Sequence, residues 1–167
     1  MSDERKIVIV PCSGIGKTYG TVTREAAYDV VDELRPDETQ LVALSMLVMG
    51  DEGARAAVDG AQAITIDGCK LACATKMVRD SGGAVAAEYA VLDAYRRHKA
   101  FKPAGIAELN EGGCLLAHAL AEEIAAEIDK MKKEPSADLA DSADLGVCES
   151  AKSAQSADNP SGEANHA

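Results

Sequence analysis

Two short apolar runs rich in β-branched residues, KIVIVP (6–11) and AITID (63–67), each lead directly into cysteine: Cys12 follows the first, and Gly68-Cys69 follows the second. Runs of this length and composition are typical of strands buried on both faces of a parallel sheet. If both lie in one such sheet, Cys12 and Cys69 sit at carboxyl ends of strands, where open α/β sheets hold their ligands. Cys73 comes four residues after Cys69, so in a helix predicted over about 70–80 the two thiols share one face. The pattern predicts three thiols, Cys12, Cys69 and Cys73, around one ion.

The rest of the chain reads as further strand and helix alternation. Apolar residues recur at helical spacing from about Val22 to Arg35, and Pro36 ends that segment. QLVALSMLV (40–48) is a second run of strand length, followed by an Ala-rich helix over 51–59. A helix over about 70–80 stops at Ser81-Gly82-Gly83, residues 84–92 open as a fourth strand, and a short helix, VLDAYRRH, follows. Residues 111–133 form a long helix whose apolar stripe is Leu116, Leu120, Ile124, Ile128 and Met131. The predicted fold is a doubly wound α/β domain over 4–133, with a mostly parallel sheet of about four strands and helices on both faces. From Glu134 onwards the chain is Ala, Ser and Asp, with seven acids against one lysine, and reads as a disordered acidic tail over 134–167.

A formal charge of -11 excludes the basic footprint of a nucleic-acid or anionic-membrane binder, and 3% aromatics with no Trp leaves little for base stacking. No stretch approaches the ~18 apolar residues of a membrane span, and the first residues carry no signal-like core. The chain therefore reads as cytoplasmic, where five cysteines are expected to be reduced thiols, available to a metal or to thiol chemistry. Cys148 belongs to the tail. Cys114 and His118 fall towards the polar side of the long helix, away from the core.

At the start of its predicted helix, Cys69 is expected to have the lowest thiol pKa of the three. Soft thiolates suit zinc, and they also suit an iron–sulfur cluster or a thiol redox centre. Asp67, a backbone or exogenous ligand, or water completes the coordination. A rival motif is PCSGIGKT (11–18), one residue from a P-loop, in which Gly14, Gly16, Lys17 and Thr18 would cradle a phosphate or another small anionic ligand. Two features weigh against nucleotide hydrolysis. Pro11 lacks an N–H, and Tyr19-Gly20-Thr21-Val22-Thr23 is a poor helix opening where a P-loop needs one.

PCSGIGKTYGTVTREAAY (11–28) and AITIDGCKLACATK (63–76), in this order, resemble the DGC-domain family, named for the Asp-Gly-Cys triplet found here at Asp67, Gly68 and Cys69. The resemblance covers about residues 5–130 and implies a zinc-binding protein with four cysteine chelators and no assigned reaction or catalytic residue. Cys12, Cys69 and Cys73 match that pattern. A fourth cysteine is expected in the second strand region, and QLVALSMLVM (40–49) contains none.

Overall fold

In the computed structural model the described residues are 6–14 and 16–133. The tail read over 134–167, with Cys148, lies outside them.

Strand β1 (Ile7–Pro11) is buried along its whole length and pairs in parallel with β2 (Thr39–Leu41) on one side and β3 (Gln62–Asp67) on the other. Strand β4 (Ala84–Ala90) extends the sheet beyond β3, also parallel, giving the order β2-β1-β3-β4. Period-two alternation sorts the strand residues into two cores. Ile7, Ile9, Ile64 and Ile66 pack on α1 (Thr18–Tyr28), α5 (Val91–Arg97) and α6 (Glu111–Lys133). Val8, Val10 and Ala63 face α2 (Leu44–Met49), α3 (Glu52–Val58) and α4 (Cys73–Asp80). The fold is doubly wound α/β, as the alternation predicts. No helix among the described residues is long and apolar enough to cross a membrane.

The stripe predicted for α6 is its buried face: Leu116, Leu120, Ile124 and Ile128 are fully covered, each contributing about 1.5–3 kcal/mol relative to exposure. Cys114 and His118 are exposed, as their angular position requires. Helix α1 runs on in wider π-type turns over Asp29–Leu34, and Arg35 then reaches Asp129 of α6, with Nη2 2.7 Å from Oδ2.

Three boundaries differ from the sequence reading. Only Thr39–Leu41 of the second apolar run is strand; Leu44–Met49 is helix α2, because the run turns at Ala43, buries Leu44 and Leu47, and ends on Gly50 at φ 77°. Short apolar runs carry no period that separates the two states. Helix α1 begins at Thr18, four residues before Val22, because its unfavourable residues are used in packing. Gly20, Thr21 and Thr23 are buried, and the Thr23 hydroxyl lies 2.7 Å from both the Cys12 and Gly20 carbonyls. Helix α4 begins at Cys73 and not near Lys70.

Tyr89 joins β4 to α6, its hydroxyl donating to the Glu123 carbonyl over 3.4 Å. Burial pushes its phenol up to about 12, and the Glu127 and Glu123 carboxylates add to that while Arg97 opposes it. The folded phenol therefore holds its proton longer than the unfolded one, so its contribution to stability is present below about pH 10 and lost as pH rises through about 12. In an ultraviolet titration of the folded protein, one phenol is expected to remain protonated at about pH 11, and Tyr89→Phe removes that late step. A late step that survives the substitution contradicts the assignment.

Candidate functional site

All four strands point their carboxyl ends the same way, and the strand order reverses between β1 and β3. Ligands of open α/β sheets gather outside such a reversal. The chain leaves β1 and β3 side by side there: Pro11 pairs with Ile66, and the Cys12 amide donates to the Ile66 carbonyl over 2.8 Å. Three glycines let the two loops and the first turn of α1 close on one another. A Cβ on Gly14 would lie 2.2 Å from Gly20 Cα, and one on Gly68 would lie 3.2 Å from the Tyr19 carbonyl carbon. Backbone thus fills the space directly over the β1–β3 reversal.

Asp67, the first residue of the DGC triplet, is buried and caps α4 from a distance. Its Oδ1 accepts from the Ala74 amide at 2.9 Å, while Oδ2 accepts from the Thr75 amide at 3.2 Å and the Thr75 hydroxyl at 2.8 Å. Two of the free amides at the start of α4, those of Ala74 and Thr75, are thereby satisfied inside the protein. Between Asp67 and α4, residues 68–72 form a tight turn closed by the Ala72 amide on the Cys69 carbonyl (3.2 Å), with Ala72 in the left-handed region at φ 51°. That conformation costs about 1–2 kcal/mol for a residue with a Cβ.

The turn separates the cysteines that a longer helix would have aligned. Cys69 lies in the turn, half-buried, and lines a cleft towards β4 and α5; Cys73 is exposed as the first residue of α4. The helix end expected behind Cys69 therefore belongs to Cys73. Cys12 is buried on the α2–α4 side among Val8, Val10 and Leu44. Burial pushes its thiol up; the Gly68 and Gly14 amides, directed at the sulfur, pull it down, and Asp67 and Cys73 add an upward push. Cys12 and Cys73 thus lie within electrostatic range of each other. All four described cysteines are free. Among the described residues, no three His, Cys, Asp or Glu side chains stand so as to hold a metal ion.

Of the predicted anion loop, Gly16 and Lys17 are exposed, and Thr18 opens α1. The helix start that a P-loop requires is therefore present. Gly14 is turned to Gly20, however, and its Cα face is closed to a ligand.

Residues 8–113 match the DGC domain. The chain belongs to the DGC-domain family. No curated protein and no solved structure matches it. In this DGC domain the three residues of the triplet act differently, since Asp67 caps α4, Gly68 admits the Tyr19–Gly20 backbone, and Cys69 is presented to a cleft. The cysteines were visible in the sequence; the buried Asp67–Thr75 pair was legible only as an acid at a strand end, with Thr75 at i+8.

Two outcomes test this geometry. Gly20→Ala sets a Cβ 2.3 Å from Gly14 Cα and is expected to destabilise the DGC domain by about 1–3 kcal/mol or more in urea unfolding. At the open Gly16, with φ +76° and nothing within 4 Å, Ala is expected to bring only the left-handed conformational cost of about 1 kcal/mol. Equal losses contradict the packing argument. In alkylation mapped by mass spectrometry, Cys12 should be modified last among Cys12, Cys69, Cys73 and Cys114, with a rate still rising above the ordinary thiol range near ~8.5, since a raised pKa leaves less thiolate at any given pH. Early labelling of Cys12 in folded protein overturns its burial.

Proposed function

We propose that this DGC domain is a zinc-binding protein whose ion is taken by Cys12, Cys69 and Cys73 in the loops after β1 and β3. The observation that carries the reading is placement: Cys12 directly follows β1, Cys69 and Cys73 lie in and at the end of the turn after β3, and the two strands are adjacent, with the Cys12 amide donating to the Ile66 carbonyl at 2.8 Å. A thiolate is the form that binds metal, so an ion taken by Cys12 displaces the proton that burial holds on this thiol. The donor set is soft and suits zinc. Since the three side chains do not stand as a ligand set, uptake requires side-chain rotation in the 68–73 turn, where Cys69 and Cys73 are the two accessible thiols. The coordination left by three thiolates falls to water or an exogenous ligand, since both Asp67 oxygens are engaged with α4 and Cys114 lies exposed on α6.

Element analysis of anaerobically purified full-length protein, with zinc affinity measured by chelator competition, tests the reading. One zinc per chain is expected, with affinity falling by more than about 100-fold in Cys12→Ser and in Cys73→Ser, a loss beyond that of a supporting hydrogen bond. Cys114→Ser should leave it unchanged. Iron with sulfide and a brown colour would replace zinc by a cluster. Protein that binds neither, with every thiol freely alkylated, would leave thiol redox chemistry as the use of these cysteines.

A further inference from the structure

A cavity of about 320 Å³ opens on the β2 side of β1, outside the carboxyl ends of these two strands and between α1 and the start of α2. Arg24 of α1 is the only charged residue among those that line it. Its half-buried guanidinium is held by neutral oxygens: Nη1 donates to the Ser13 carbonyl, and Nη2 donates to the Thr21 hydroxyl over 3.1 Å. Those two bonds leave the other N–H groups of the fork for a ligand. No carboxylate among the described residues pairs with this charge. Asp29, at the end of α1, stands 3.3 Å from His118 Nδ1, and Glu25 is exposed and lies outside the lining. The wall therefore carries a positive charge and no negative one. Ser13, Ser45 and Tyr28 line the same cavity, and their hydroxyls have no protein partner among the described residues. Pro11, Leu41 and Leu44 make the rest of the wall apolar.

We propose that this cavity binds a small organic oxyanion, a carboxylate or a phosphate monoester, with its charged oxygens on Arg24 and the hydroxyls of Ser13, Ser45 and Tyr28 and its carbon body against Pro11, Leu41 and Leu44. A guanidinium only donates, and its planar fork matches two oxygens of such a head group. An amine or a metal cation would meet a like charge and no carboxylate. The apolar wall favours an organic body over a bare inorganic anion. The site uses neither the thiols nor Lys17, so it stands apart from the zinc reading and from the glycine loop.

Titration of full-length, chelator-treated protein, followed by amide chemical shifts in nuclear magnetic resonance, tests the proposal. The probes are butyrate, butyl phosphate, inorganic phosphate and the neutral butyramide. Saturable shifts at Ser13, Arg24 and Ser45 are expected with butyrate or butyl phosphate, and the tighter of the two names the head group. Butyramide lacks the charge-assisted bonds and inorganic phosphate lacks the apolar contact, so each should bind about tenfold more weakly than its butyl counterpart. Arg24→Gln should weaken the tighter probe by about tenfold or more. Because Arg24 also holds the Ser13 carbonyl, a second variant leaves that contact intact: Tyr28→Phe combined with Ser45→Ala should weaken binding by about fivefold without moving the urea midpoint. Lys17→Gln should leave the affinity unchanged. Absence of saturable shifts with both oxyanions overturns the proposal, as does an affinity undiminished in either cavity variant. Butyramide or inorganic phosphate binding as tightly as its butyl counterpart removes the charge or the apolar wall from recognition and also overturns it. A loss of binding in Lys17→Gln would move the anion to the glycine loop, with the same result. Zinc stoichiometry is measured separately, so either reading can fail while the other stands.

Discussion

The arrangement at the carboxyl end of the sheet depends on the Asp67 carboxylate. By accepting from Ala74 and Thr75, it fixes where α4 begins, and so decides that Cys73 opens the helix while Cys69 stays in the turn before it. Thr75 extends the arrangement inward, since its hydroxyl also lies 2.7 Å from that of Thr65 on β3. A buried carboxylate whose acceptors are filled by amides and a hydroxyl ties a loop to a helix start with little ambiguity of position. The residue that gives the family triplet its first letter therefore acts on the scaffold. What the scaffold presents there is two accessible thiols, Cys69 and Cys73.

The glycines complete what Asp67 begins. Gly14 and Gly20 meet backbone to backbone, and Gly68 meets the Tyr19–Gly20 peptide, so the loop after β1 lies flat on the first turn of α1. This contact explains why Gly20, Thr21 and Thr23 are helical in spite of modest propensity: tertiary packing and the Thr23 hydroxyl bonds outweigh a cost of a few tenths to about 1 kcal/mol per residue. It also changes the standing of the P-loop resemblance. The helix starts where such a loop needs it, yet Gly14 is directed into the protein, so a phosphate cradle lacks one of its walls.

Legibility followed periodicity. Strands β1 and β3, with their unbroken β-branched runs, and α6, with a stripe repeated along its length, were readable because each carries a long or unmistakable pattern. The second apolar run was not, since a mainly apolar stretch with no clear period suits a strand or a buried helix, and a turn at Ala43 with Gly50 at the end decided for α2. The start of α4 was hidden for a different reason: its cap comes from Asp67, seven residues before Ala74, whereas sequence rules look for a cap at the residue next to the helix. The cysteines were found from type and spacing, but their surroundings were not, because a left-handed Ala72 leaves no trace in a sequence.

Strand parity then accounts for the difference among the three thiols. Cys12 continues the even positions of β1, so its side chain follows Val8 and Val10 into the core beneath α2 and α4. Cys69 lies two residues beyond Asp67 and would share its face on an extended strand, but the turn begun at Gly68 swings it to the β4 side instead. Cys73, at the head of α4, faces solvent. Two accessible thiols therefore flank one buried thiol whose proton is held by desolvation and contested by two amides. For the zinc site proposed above, this arrangement would put selectivity in the buried member, because an ion must offer enough to displace that proton, and access in the exposed pair.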